Sequence, residues 1–308
     1  MTYESWINEW LENYVKPSSK TRTYERYSQI CKTHIVPSLG NCKLDKISVM
    51  DLQKVVTKLL TSGNRKTGKG LSANFVNTII SVLQNSLKTA FTIGLTRNYV
   101  ANKVKRPKII EKQVSCFSVS DQKKIERYVL NHKKDKLFGI VLCLYTGLRI
   151  GELLALTWQD IDFGKGLLFV SKTCYDGTDG QNHIRIIDSP KTAHSRRVIP
   201  LPKQILPLLK NLKKRSNCEY IIADDDKPVF VRSYQRTFEL LLKKLGIAHK
   251  GFHSLRHTFA TRALECGMDV KTLSELLGHK NATITLNRYV HSLLKHKTEM
   301  MNRLGRLL

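Results

Sequence analysis

The stretch from Phe252 to His291 sets His253, Arg256, His257, His279 and Tyr289 beside apolar runs that should bury them. That combination suits one reaction in particular. Cleaving a phosphodiester with side chains alone needs a nucleophile, a proton donor for the leaving oxygen, and fixed cations around the transition state. Arginine fits the last role, because its guanidinium stays charged and offers a planar fork of donors to phosphate oxygens. His253 and Arg256 are three residues apart, so a helix starting near Ser254 turns both towards one face, where they can grip one phosphate. His257 points away from Arg256 and reads as a packing group. "DVKTLSELLGHK" is an amphipathic helix with Val270, Leu273, Leu276 and Leu277 inward and Gly278 placed just past its end, which leaves His279 free to donate a hydrogen bond. Tyr289 follows ten residues later on the next helical stretch. Taken singly, a histidine or a tyrosine in such surroundings is most often structural. The joint pattern carries the reading.

The elements around these residues change character along the chain. Up to about residue 100 the pattern is helical. It is clearest where Phe75, Ile79, Val82, Leu83, Leu87, Ala90 and Phe91 recur at three- and four-residue steps between Ser72, placed as a cap, and Gly94. Residues 102–118 are basic, contain Pro107 and lack periodicity, so they read as an interdomain linker, with Lys103, Lys105, Arg106 and Lys108 as candidate DNA contacts. Helices resume after Ser118, and β-branched runs then predict a small antiparallel sheet near 167–173, 183–188 and 196–200. The glycine-rich run at 61–70 does not match a phosphate-binding loop and reads as solvated. Asp224–Asp226 invite a magnesium site, but consecutive carboxylates repel and seldom converge, so a solvated loop is the better reading. No metal or cofactor is expected.

Composition names the partner class. Lysine and arginine total 52 against 25 acidic residues, a net charge of +27, which calls for a polyanion. Residues 1–112 hold 19 basic and 7 acidic side chains and the remainder 33 and 18, so both halves should touch that partner, with nucleic acid the leading candidate. No apolar run approaches the roughly 20 residues of a membrane span, and the start "MTYESWINEW" lacks a signal-peptide pattern. A cytoplasmic protein with reduced cysteines is expected: the seven are scattered and never form a C-x-x-C pair.

Five stretches carry a further resemblance: "TGLRIGELLALTWQDID" at 146–162, "SPKTAHSRRVIPL" at 189–201, "HSLRHTFAT" at 253–261, "LGH" at 277–279, and Tyr289. In that order they resemble the motifs of the tyrosine recombinase (phage integrase) family, of the phage or conjugative-element type. The resemblance implies a mainly α two-domain DNA clamp, with a helical core-DNA-binding domain at 1–101, the linker at 102–118, a catalytic domain at 119–289 and a tail helix at 290–308. It implies Arg149 and Arg256 as the phosphate-gripping pair, Lys191 as proton donor to the 5′ oxygen, His253 assisting proton transfer, His279 on a non-bridging oxygen, and Tyr289 as nucleophile. Glu152, three residues after Arg149, would orient that arginine or cap a buried network. The implied activity is integration or excision of a mobile element through a 3′-phosphotyrosyl link, which stores the bond energy and needs no ATP. Implied partners are two DNA sites, a protein tetramer with exchanged tails, and an accessory bending or directionality factor. Many members carry an extra N-terminal arm-binding domain, whereas here the core-binding pattern begins almost at Met1. A type IB topoisomerase and a purely site-occupying DNA-binding protein are the competing readings.

Overall fold

The computed structural model describes residues 1–109, 115–132, 135–179, 182–188, 196–224 and 227–279, together with 281, 283, 298, 301, 302 and 304–306. The chain divides into two compact units, Met1–Lys112 and Gln113–Leu308.

The first unit is helical. Helix α1 (Tyr3–Trp10) is capped by Thr2 and runs on into a wider helical turn, Leu11–Val15; α2 (Thr21–Ile30) continues likewise through Cys31–Ile35 into α3 (Val36–Leu39). Helix α4 (Val49–Ser62) starts at a reciprocal cap between Ser48 and Asp51. Helix α5 (Ala73–Thr92) starts where Ser72 accepts from the Phe75 amide, and Gly94 stands beyond its end at a φ of 80°. Its expected core face is largely as read, with Ile79, Val82, Leu83, Leu87 and Ala90 buried. Phe91 is the exception: it lies 44% exposed and stacks on Tyr99. Tyr3, Trp6 and Trp10 fasten α1 to α5 by burying their rings and placing their polar ends on it. The Tyr3 hydroxyl lies 2.6 Å from Ser86 Oγ, Trp6 Nε1 donates to Ser86 O, and Trp10 Nε1 donates to Thr89 Oγ1.

The tract read as a linker from residue 102 begins against this unit. Lys105 N donates to Gln53 Oε1, and Asn77 Nδ2 donates to Pro107 O. The Arg106 guanidinium donates to Ser81 Oγ and Gln84 Oε1 on α5, so it works as a staple. Lys103, Lys105 and Lys108 are exposed.

The second unit is built around α7 (Phe138–Thr146), whose residues are buried almost without exception, as an all-apolar helix requires. Against it lie α6 (Val119–Asn131) and α11 (His253–Glu265), and Leu153 of α8 (Ile150–Ala155) lies beside Gly139; α9 (Ile205–Arg215), α10 (Val231–Lys244) and α12 (Val270–Leu277) complete the described α-helices. The strands depart from the single expected sheet. β1 (Ile161–Asp162), β2 (Leu167–Val170) and β5 (Arg197–Pro200) form one antiparallel sheet, with Leu168 opposite Ile199 and Val170 opposite Arg197. β3 (Thr173–Asp179) and β4 (Asn182–Asp188) form a separate hairpin. The hairpin is held away by its own polar groups. Asp176 accepts from the Val231 and Arg232 amides and so caps α10, while Arg185 on β4 donates to the Leu154 carbonyl on α8 and lies over the Tyr220 ring. A short pair, β6 (Ala223–Asp224) and β7 (Lys227–Pro228), carries the start of the acidic run, where Asp224 pairs with Lys136 at 2.6 Å.

Candidate active site

Two glycine turns aim the arginines. Helix α7 ends at Gly147, whose φ of 64° is left-handed and whose missing Cβ leaves room for the Phe259 ring of α11. The chain reverses there, and Arg149 becomes the residue that opens α8. Helix α12 begins at Asp269, which caps Thr272 N, and ends at Gly278 with a φ of 63°. The Gly278 and His279 amides fold back onto Glu275 O and Ser274 O. A side chain at Gly278 would meet the Arg197 guanidinium at 3.1 Å, so glycine there serves both the turn and the packing.

The last carbonyls of α12 then receive three arginines in succession. Arg197 Nε donates to Leu276 O at 2.6 Å, Arg256 Nη2 to Leu277 O at 2.6 Å, and Arg149 Nη2 to Gly278 O at 3.4 Å. Arg256 also donates to Gly147 O at 2.8 Å, which ties the two turns together. A helix C-terminus leaves carbonyls unpaired and carries partial negative charge, so it is a natural seat for cations. His279 follows at once, half-buried.

Glu152 organises the cluster from beneath. Its carboxylate accepts from Arg149 N at 2.9 Å, Arg149 Nη1 at 2.7 Å, and both terminal nitrogens of Arg197 at 3.0 and 2.8 Å. Burial alone would raise its pKa, but the Arg197 fork and the two arginine charges outweigh it and hold the carboxyl at about 2. Arg256 is 1% exposed and the Arg197 side chain 6%, whereas the Arg149 side chain keeps 37% of its surface open. The network therefore presents one guanidinium to solvent and holds two inside.

The residues read from the sequence fall into three groups. Arg149, Arg256 and His279 converge on the turn after α12. His253 stands exposed at the start of α11, its ring set edge-on to His257 with centroids 4.5 Å apart. Lys191 and Tyr289 lie outside the described residues. Arg197 was missed, although a signal existed: alternation along β5 that buries Ile199 also turns Arg197 inward, and an inward arginine needs an acid. Glu152 does both things expected of it, orienting Arg149 and anchoring a buried network. Burial pushes the thiols of Cys31, Cys143 and Cys174 upward, so they stay neutral packing groups. Among the described residues no cluster could hold a metal, and no helix is long and apolar enough to cross a membrane.

Known proteins share this arrangement of chain. In fold, the protein matches the Tn1549 transposon integrase solved in complex with transposon right end DNA, at a TM-score of 0.81 and 24% identity over 99% of this chain and 100% of that one. It matches a lambda integrase dimer bound to a core site at 0.70 and 22% identity over 92% and 97%. In sequence, a XerC-like tyrosine recombinase of Caldanaerobacter subterraneus subsp. tengcongensis is 32% identical over 98% of this chain and 82% of its own length. The ICEBs1 integrase of Bacillus subtilis is 28% identical over 94% and 79%. The phage integrase family profile matches residues 120–296, and the profile of its N-terminal SAM-like domain matches residues 2–60. By these matches the chain belongs to the phage integrase family of tyrosine recombinases, DNA breaking and rejoining enzymes that carry out site-specific recombination.

Proposed function

We propose that this protein integrates and excises a mobile element, cutting each strand with Tyr289 at a phosphate gripped by Arg149 and Arg256. The Tyr289 oxygen attacks phosphorus as its proton leaves with help from His253. The phosphorus–O5′ bond breaks, Lys191 protonates the departing oxygen, and the 3′ end stays on the tyrosine. His279 donates to a non-bridging oxygen. Rejoining is the reverse, with the 5′ hydroxyl of the partner strand as nucleophile and the tyrosinate as leaving group. The observation that carries this reading is the meeting of Arg149 and Arg256, 107 positions apart in the chain, on the consecutive carbonyls of Leu277 and Gly278, next to His279. Fixed guanidiniums of this kind stabilise the charge that builds on the phosphate in the transition state.

In this reading residues 1–101 hold the core DNA site, 102–118 link the two parts along the backbone, 119–289 carry the chemistry, and 290–308 exchange between protomers of a tetramer that joins two DNA sites in the cytoplasm. An accessory bending factor sets direction. The test is a supercoiled plasmid carrying two copies of the sequences that flank the gene. Recombinant circles are the expected product. Relaxed circles without exchange would point to topoisomerase action, and retarded but unchanged DNA to a site-occupying protein.

A further inference from the structure

Buried ion pairs seldom add stability over apolar residues of the same size, so an arginine side chain almost wholly desolvated on a carboxylate calls for a reason other than packing. Arg197 is such a residue, and it stands outside the set that touches the phosphate in the reading above. Its fork takes one position on each Glu152 oxygen, and Arg149 takes the other two, one with its backbone amide and one with its guanidinium. The carboxylate is thereby locked in one orientation. The Nε of the same arginine holds Leu276 O, two residues before the Gly278 carbonyl that receives Arg149 and three before His279. Strand pairing opposite Val170 fixes Arg197 itself. A change at this one side chain thus reaches both the Arg149 guanidinium and the turn that presents His279.

We propose that Arg197 is a positioning residue of the recombination site: through Glu152 and Leu276 it sets Arg149 and the Gly278–His279 turn in the geometry that grips the scissile phosphate. This rests on the function proposed above. Lysine cannot replace it, because one ammonium group cannot reach both Glu152 oxygens and the Leu276 carbonyl together.

The experiment is single-turnover cleavage by the full chain of nicked duplexes taken from its flanking DNA, with protein at saturation, alongside binding and melting measurements. Arg197→Lys should cleave about 100-fold more slowly, the scale expected when a reacting group is misplaced by about 1 Å, while binding changes by no more than about twofold. The loss should persist on a duplex with sulfur at the bridging 5′ position, since a thiolate leaves without a proton donor but the phosphate must still be gripped. Glu152→Gln combined with Arg197→Lys should lose little more than either alone, because both break one network. Should Arg197→Gln fail to fold, Arg197→Lys, which keeps the charge, carries the test. An unchanged rate, a rate restored by sulfur, or weakened binding with an unchanged rate would each overturn the inference while leaving the recombinase reading standing. No adduct from the unaltered protein would overturn that reading and the inference with it.

Discussion

The two units bury similar kinds of apolar side chain but treat polarity differently. Among the described residues of the first, the buried polar ones are neutral, Ser86 and Thr96, and Ser86 receives the polar end of an α1 aromatic. In the second, Glu152, Asp160 and Arg256 are all buried, and the Arg197 side chain is nearly so. Desolvating a charge is costly unless it is paired. The first unit is thus a scaffold held by packing, while the second accepts ionic groups in its interior, three of them in the cluster around the α12 terminus. The contrast separates residues that hold the fold by packing from those that hold it by buried charge, and the candidate site lies among the latter.

The contrast yields graded expectations. Glu152→Ala should have the greatest effect on stability, about 3–5 kcal/mol in urea unfolding of the second unit, because it strands a buried guanidinium. Arg256→Lys should lower the rate of covalent adduct formation by about 100- to 1000-fold, read on nicked duplexes, as the fork to Gly147 O and Leu277 O is lost along with the proposed grip on the phosphate. Acid should act on the second unit through the same network. The Glu152 carboxyl titrates at about 2 instead of its usual 4.5, so the stability it lends is complete above about 4.5 and drains away as pH falls towards 2. The melting temperature should fall more steeply across that window in the native protein than in Glu152→Gln; equal slopes would argue against the pairing.

Smaller effects belong to the first unit. Tyr3→Phe removes one neutral buried hydrogen bond and should cost about 1 kcal/mol, well short of the Glu152 change. Replacing Lys103, Lys105 and Lys108 with alanine should leave the melting temperature in place. It should flatten the salt dependence of DNA binding by roughly one unit of slope per lysine that meets a phosphate. Arg106→Ala differs from these, since its guanidinium staples the strap to α5, and should loosen residues 104–107 in hydrogen exchange.

Most of the helical frame could be read from spacing, caps and turns. Ser72, Ser118 and Asp269 cap where polar residues precede apolar periodicity, and Gly278 ends α12 as its position predicts. The strands expected at 167–173, 183–188 and 196–200 match β2, β4 and β5, but the expectation does not include β3 (Thr173–Asp179), whose run is broken by Asp-Gly, and it puts one sheet where there are two. Strand propensity marks segments but does not say that the side chain of Asp176, on β3, caps a helix 55 residues away. Arg256 and His279 are legible because the chemistry restricts residue type, and Arg149 through the family motif that contains it. For Arg197 the alternation with Ile199 shows an inward side chain but not its partner, which lies 45 positions earlier and meets it only in the folded chain. The tract from residue 102 reads as a linker because its basic residues lack periodicity; the single hydrogen bonds that fix Lys105, Arg106 and Pro107 to α4 and α5 leave no repeating trace in sequence.

The decisive experiment is covalent capture with peptide mapping. The protein, in EDTA, is incubated with nicked duplexes from its flanking DNA, denatured in SDS and digested, and the DNA-linked peptide is sequenced by mass. A 3′-linked peptide containing Tyr289, lost in Tyr289→Phe and accompanied by a free 5′ hydroxyl, is the expected result. Site-specific binding with no adduct, or an adduct that survives Tyr289→Phe, would contradict it.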